Sequence, residues 1–189
     1  MNFRFLSFLL LLPLLTGGCT NVPNGVLKIH VEYEKQAGHA SNQWAVWIED
    51  SEGYIVKTLF VTQFTADGGY IPRPTCVPLW VSKAQPDNLS QEAIDAFSDA
   101  TPSSGVQTYS WDLTDSDGNR VGAGAYTLMV EATLYGGGRV IFQTPVTIGK
   151  KEWSLSSLEP QYTSEDETNR GMIRSVSVEY LLVSNKELQ

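Results

Sequence analysis

The stretch W-D-L-T-D-S-D-G-N-R-V-G-A-G-A-Y, residues 111–126, decides the fold. Its middle, 115–119, is dense in residues that adopt a positive φ or bond their own backbone, which predicts a turn. Tyr109, Trp111 and Leu113 alternate with polar residues before the turn, and an apolar run follows it. The pattern therefore predicts a β-hairpin, in which one strand enters the turn and a second strand leaves it.

Alternation of apolar and polar residues predicts the other strands. The segments with this pattern are 26–33, 43–49, 54–62, 106–113, 126–135, 139–148 and 176–182. In the second segment, apolar side chains fall on both faces, with Trp44 on one and Trp47 on the other, so this strand is expected between two layers or under a loop. About seven to eight strands separated by turn signals predict an all-β, immunoglobulin-like β-sandwich.

The alternation is interrupted between residues 66 and 105. The first part contains two adjacent glycines and three prolines: Gly68, Gly69, Pro72, Pro74 and Pro78. These residues exclude regular structure over about a dozen positions. Further on, Asn88 is a candidate helix cap with Gln91 as its capping-box partner, and Pro102 stops the run. One short helix is therefore expected in the otherwise all-β chain.

The N-terminus has the pattern of a secretory signal over residues 1–18. Arg4 precedes an apolar run that is too short for a membrane-spanning helix. The ending L-T-G-G-C resembles the lipobox of bacterial lipoproteins, which implies that Cys19 is lipidated and becomes the mature N-terminus. Thr20 stands where an aspartate would imply retention in the inner membrane, so the outer membrane is favoured. An ordinary signal peptide that is cut nearby is the alternative.

These features divide the chain into a signal peptide (1–18), a tether (19–25), a β-sandwich (26–149), and a polar loop with a final strand (150–189). The chain has 13 basic and 21 acidic side chains. That balance disfavours nucleic acid and argues against electrostatic docking onto anionic lipid. If Cys19 is acylated, Cys76 has no disulfide partner, and it is expected to be a small core residue.

The sequence lacks the motifs of common enzyme chemistry. His30 and His39 are not in a metal-ligand spacing, and no nucleophile elbow, zinc-protease motif or phosphate loop occurs. A hydrolase or metalloenzyme is therefore disfavoured, and no catalytic or metal-binding residue is assigned.

Three aspartates of the 111–126 stretch are candidate calcium ligands: Asp112, Asp115 and Asp117. Carboxylate oxygens suit calcium, but Tyr126 stands where a bidentate glutamate is wanted. A β-turn stabilised by side-chain-to-backbone bonds is the favoured interpretation.

The residues W-D…D-G-N…G-A-Y within 111–126 resemble the immunoglobulin-like domain of flagellar hook-capping proteins, which is a signature of fold only. A wider resemblance covers residues 27–148 and includes W-I-E-D at 47–50, P-L-W at 78–80 and D-A-F-S-D-A-T at 95–101. These residues are similar to the bacterial periplasmic domain-of-unknown-function family 2271. Members of that family tend to accompany membrane flavin and iron-reduction systems and have no assigned activity.

The segment 95–101 also resembles the D-x-x-[ST]-G-A-[ST] sequence on which periplasmic flavin transferases place FMN, through an ester between its phosphate and the final hydroxyl. Four positions match in spacing: Asp95, Ser98, Ala100 and Thr101. The resemblance implies that Thr101 is the acceptor. Asp99 stands where glycine is expected and adds a Cβ and a negative charge. The alternative, an ordinary helix C-terminus leading into Pro102, stays open.

Two functions follow from the sequence. The first is a non-catalytic lipoprotein that holds FMN at Thr101 and exchanges electrons with a membrane redox partner, in envelope electron transfer or iron reduction. The second is a cofactor-free binding or scaffolding module for an envelope complex, with residues 66–105 as its recognition surface. Trp80 is expected to line a ligand surface near this segment, because aromatic faces stack on flat rings.

Overall fold

The fold is built from two β-sheets that lie face to face. The computed structural model describes residues 23–37, 42–134, 138–163 and 171–183. The strands of these ranges are β1 (Gly25–Tyr33), β2 (Gln43–Glu49), β3 (Ile55–Thr62), β4 (Ser98–Asp99), β5 (Gly105–Trp111), β6 (Gly124–Thr133), β7 (Arg139–Ile148), β8 (Trp153–Leu155), β9 (Pro160–Tyr162) and β10 (Ile173–Leu182). Between β3 and β4 lie a π-helical turn (Thr65–Gly69), α1 (Pro78–Ala84), a 3-10 turn (Pro86–Asn88) and α2 (Gln91–Asp95).

One sheet has four strands, in the order β5–β1–β10–β8, and the other has six, in the order β4–β3–β2–β6–β7–β9. Every neighbouring pair is antiparallel except β3 and β4. The predicted all-β sandwich is confirmed. The described residues form ten strands rather than seven or eight, because β4, β8 and β9 are two or three residues long and leave no readable alternation.

The core between the sheets follows from the alternation in the sequence. Alternate residues of β1 are 0–1% exposed: Leu27, Ile29, Val31 and Tyr33. On the neighbouring β10, Val176 and Val178 belong to the same core, and the strand register places Ile29 opposite Val178. Each large apolar side chain buried in this way contributes about 1.5–3 kcal/mol.

Strand β2 is buried on both faces, as predicted. Trp44 and Val46 belong to the core between the sheets, whereas Ala45 and Trp47 belong to a second core on the other side of the six-stranded sheet. Residues 65–97, called here the covering layer, close this second core. The interruption in the strand pattern is therefore a layer of structure that shields the outer face of the six-stranded sheet from water.

The predicted hairpin at 111–126 is wrong. Strand β5 pairs with β1 in the four-stranded sheet, whereas β6 pairs with β2 and β7 in the six-stranded sheet. The stretch crosses from one sheet to the other, and Leu113 turns the chain with a φ of 63°. The rings of Trp111 and Tyr126 pack against each other across the crossing, with 5.2 Å between their centroids. Turn residues and alternation identify strand, turn and strand, but they do not specify which partner each strand pairs with.

The predicted turn within the crossing is present. The Asp115 carboxylate accepts backbone N–H groups of Asp117 at 3.0 Å and of Asn119 at 2.8 Å. These bonds hold the pKa of Asp115 below its ordinary value, and the bond from the Asn119 N–H has the largest effect. The aspartate is thus committed to the backbone of its own turn.

The covering layer contains two short α-helices where one was predicted. The proline-rich stretch was expected to be irregular, yet Pro78 begins α1, because a proline at the first helical position lacks an N–H that would have no partner there. The second helix is capped by Ser90, whose hydroxyl accepts the N–H of Ala93 at 3.2 Å. Asn88, the predicted cap, instead ends the 3-10 turn.

Residues 1–22, which include the predicted signal peptide and Cys19, lie outside the described residues, as does His39. Within the described ranges, no helix combines the length and the apolar character needed to cross a membrane.

The Asp115 turn predicts a specific acid sensitivity. Because the folded-state pKa of Asp115 is lowered, its stabilising contribution is present above the unfolded pKa and is lost as the pH falls through the folded pKa. The thermal midpoint of the unchanged protein should therefore drop further between about pH 5 and about pH 3 than that of Asp115→Asn. Equal drops in the two proteins, measured by circular dichroism, would contradict this account.

Candidate functional site

The segment 95–101 lies at the edge of the six-stranded sheet. Asp95 ends α2, and Ser98 and Asp99 form β4, which pairs in parallel with the end of β3. The carbonyl of Phe97 accepts the N–H of Val61 at 3.0 Å and starts this pairing. The structure therefore places the four matching residues on one continuous run, with Asp95 on the helix and the other three on or just after the edge strand.

The exposure of these residues decides what can reach them. Asp95, Asp99 and Ala100 are exposed, and Ser98 and Thr101 are half-buried. The Thr101 hydroxyl donates to the carbonyl of Asn42 at 3.4 Å, which is at the long limit of a hydrogen bond and therefore weak. The Thr101 hydroxyl is thus partly accessible and loosely held.

Two carboxylates of the segment are engaged by their neighbours. An Oδ1 atom of Asp95 accepts the side-chain amide of Gln91 at 2.8 Å, one helical turn away. Asp99 accepts the N–H of Ala100 at 2.7 Å. Burial, assisted by the negative charge of Asp99, raises the pKa of Tyr109 above its ordinary range. The negative charge of Asp99 therefore also acts on Tyr109 of β5, in the other sheet.

Trp80 does not line a surface, so that expectation is wrong. Its side chain is 0% exposed, and its indole N–H donates to the Thr58 hydroxyl at 3.1 Å. The covering layer turns the ring toward the sheet, an orientation that sequence spacing does not reveal.

Cys76 is also 0% exposed, and burial raises the pKa of its thiol. Cys76 is a core residue, as predicted.

Glu131, on β6, is the residue that sequence reasoning missed. It is 0% exposed and accepts the N–H groups of Leu79 at 3.1 Å and Trp80 at 2.9 Å, in the first turn of α1. Arg139 donates to it at 3.4 Å. Burial raises the pKa of Glu131, against the opposing effect of these donors. The signal was a lone glutamate inside the apolar run L-M-V-E-A at 128–132.

The backbone at both ends of α1 is strained. Val77 has a φ of 41° and Gln85 a φ of 46°, and such non-glycine residues cost about 1–3 kcal/mol each. The N–H of Val77 donates to the Thr133 hydroxyl at 3.1 Å. The position of α1 is therefore fixed by the hydrogen bonds that its N–H groups donate to Thr133 and Glu131 of β6, and not by the local conformational preference of the sequence.

A cleft of about 430 Å³ opens between the covering layer and the start of β3. Its lining includes Ile55 and Thr58 from β3, Lys83 from α1, and Phe97 after α2. Thr101 follows β4, which pairs with the far end of β3. Ala96 and Phe97 of segment 95–101 line the cleft, whereas Asp95, Ser98, Ala100 and Thr101 do not.

The described part of the chain contains no group of three or more His, Cys, Asp or Glu side chains that could hold a metal ion. His30 is bonded to Thr108 at 3.0 Å and lies 3.5 Å from the carboxylate of Glu179. In the crossing, the carboxylate of Asp115 accepts N–H groups of its own turn, and that of Asp112 accepts the N–H of Thr114 at 3.1 Å.

Replacement of Glu131 tests its role in holding α1. Glu131→Gln should lower the free energy of unfolding by about 1–3 kcal/mol, because its amide places an NH2 group against a backbone N–H where the carboxyl group places an oxygen atom. The raised folded-state pKa of Glu131 means that its contribution is greatest at low pH and decreases as the pH rises. The difference in the free energy of unfolding between Glu131→Gln and the unchanged protein should therefore decrease between about pH 5 and about pH 8.

Urea denaturation of both proteins across this range measures the difference. Glu159→Gln, at an exposed position, is the matched control and should leave the stability unchanged. A Glu131→Gln protein as stable as the control would show that the bonds to α1 contribute nothing.

Comparison with known proteins places the chain in a family. The comparisons with curated proteins and with solved structures give no match. Residues 26–163 match the family described as "Predicted periplasmic protein (DUF2271)". This range contains β2 to β9, the covering layer, segment 95–101 and the cleft. The chain therefore belongs to this family of predicted periplasmic proteins, DUF2271.

Proposed function

We propose that this protein is a lipoprotein of the bacterial envelope that faces the periplasm, is held by lipid at Cys19 and carries FMN covalently on Thr101. The observation that carries the proposal is the position of segment 95–101 on the open edge of the six-stranded sheet. FMN bound there would supply one- and two-electron transfer to a membrane redox protein.

The edge position suits a modifying enzyme. Strand β4 has β3 on one side and no strand on the other among the described residues. An edge strand presents unpaired backbone groups, on which a second protein can add a strand of its own. A flavin transferase that grips the segment in this way has the Thr101 hydroxyl two residues beyond the strand. The small side chain of Ala100 leaves room beside it.

Four residues of the segment match the sequence on which a covalent flavin is placed, including Asp95 on α2, and one residue opposes the fit. The long bond from Thr101 to Asn42 is readily given up, and Ser98 and Ala100 match the expected side chains. Asp99 opposes the fit, because its carboxylate lies next to the place that a phosphate would occupy. Its bond to the N–H of Ala100 partly compensates the charge.

Intact-mass spectrometry tests the flavin attachment. Protein made in a host with a periplasmic flavin transferase should gain the mass of FMN less one water, and Thr101→Ala should abolish this gain. Ser98→Ala, three residues away on the same segment, should keep it if its hydroxyl is not the acceptor. An unmodified protein, or an adduct that survives Thr101→Ala, refutes the proposal.

The departure at Asp99 gives a second prediction. Asp99→Gly removes the Cβ and the negative charge beside the acceptor, so the modified fraction should rise under identical expression. Glu92→Gln is the comparison, because it removes an exposed carboxylate of α2 that lies outside segment 95–101. A modified fraction unchanged in Asp99→Gly would mean that the carboxylate does not hinder transfer.

The anchor at Cys19 is tested separately. The unchanged protein should incorporate a palmitate analogue and sediment with the outer membrane, whereas Cys19→Ala should not incorporate the label. Label in Cys19→Ala, or its absence from the unchanged protein, rules out the lipid anchor. Sedimentation of the labelled protein with the inner membrane would rule out only the outer-membrane location.

A cofactor-free binding module is the second candidate. The segment around the π-helical turn favours it, because Phe64 and Ile71 there are 44% and 70% exposed. Exposed large apolar side chains that lie together are typical of protein contacts. The colour of the protein from its native host separates the two candidates: a flavin carrier is yellow and a binding module is colourless.

A further inference from the structure

We propose that the cleft between the covering layer and β3 binds a small, flat, apolar ligand that carries one anionic group. Its volume of about 430 Å³ falls in the range of small-molecule sites. Because Asp95, Ser98, Ala100 and Thr101 are not among the residues that line the cleft, this proposal does not depend on flavin attachment.

The walls of the cleft are apolar and leave room for a flat molecule. Ile55 and Phe97 contribute apolar surface, and three alanines line the helical side: Ala84, Ala93 and Ala96. The ring of Phe97 meets Trp80 edge-on, with 6.0 Å between ring centroids, so its position is fixed by the second core. A planar ligand can therefore stack on a ring that is already held in place.

The charged groups of the lining are both cations. They are Lys57 and Lys83, in a chain whose net charge is −8. Lys83 pairs with Glu49 at 2.7 Å and donates to the carbonyl of Gly53 at 2.9 Å, and Lys57 donates to the carbonyl of Asp115 at 2.7 Å. An ammonium group has three N–H donors, so both lysines keep a donor for an anionic ligand.

A buried hydroxyl adds a third donor. Thr58 is 8% exposed, and its oxygen accepts the indole N–H of Trp80 at 3.1 Å. In the described part of the chain, no acceptor takes the hydroxyl proton of Thr58 itself. Because Thr58 lines the cleft, an oxygen atom of a bound ligand can accept this proton. The polar groups therefore select an acceptor-bearing, negatively charged ligand.

The cleft is formed before a ligand arrives. Its helical side is fixed by the bonds of α1 to Glu131, by the Val77 bond to β6, and by the Ser90 cap of α2. A preformed site loses little conformational entropy on binding. These bonds hold α1, despite its strained ends, where it leaves the cleft open.

The probe 8-anilinonaphthalene-1-sulfonate matches this description, with flat apolar rings and one sulfonate. It should bind residues 20–189, which include every residue of both sheets, at one saturable site with a rise in fluorescence. Ala96→Leu fills the cleft from an exposed position and should weaken binding at least about tenfold, as should Ala96→Glu, which opposes the anion. Lys57→Gln should weaken it by about tenfold.

Two matched changes outside the cleft are the controls. Ala125→Leu on β6 and Lys28→Gln on β1 should leave the dissociation constant unchanged, and higher salt should weaken binding in the unchanged protein. Thermal unfolding checks that each variant folds. Failure to bind one equivalent of probe overturns the proposal. So does an affinity for either folded Ala96 variant equal to that of the Ala125→Leu control.

Discussion

Glu131 holds the covering layer against the six-stranded sheet, and the positions of segment 95–101 and of the cleft depend on that contact. It is a fully buried carboxylate that accepts two backbone N–H groups from the first turn of α1 and one N–H from Arg139. Leaving a buried member of such a set unpaired costs about 1–3 kcal/mol. With α1 fixed in this way, Trp80 fills the second core, and the chain continues through α2 to the edge strand β4.

The covering layer gives the six-stranded sheet two different ends. At the end where β4 pairs with β3, segment 95–101 is an exposed edge with a loosely held Thr101 hydroxyl. Beside the first half of β3, the same layer leaves the cleft with its two lysines. One interruption in the strand pattern therefore produces both candidate sites, and the four-stranded sheet serves to close the core behind them.

The sequence predicted the parts of this structure that are periodic. The alternation in β1 and the two-sided β2 were readable because burial repeats every second residue. The partners of β5 and β6 were not, because the local turn at Asp115 is compatible with either one sheet or two. Pro78 was interpreted as a breaker although it begins α1. Segment 95–101 was identified by its residues, but its edge position depends on pairing with β3, which no local pattern encodes.

Hydrogen exchange of the backbone amides of Leu79 and Trp80 tests most directly whether the covering layer is a fixed part of the fold. If Glu131 fixes α1 to the sheet, these two amides should exchange only through the opening that also releases the amides of β2. Their opening free energies should then equal those of the central strand. Exchange of Leu79 and Trp80 through a much less costly local opening, with β2 still protected, would contradict the account.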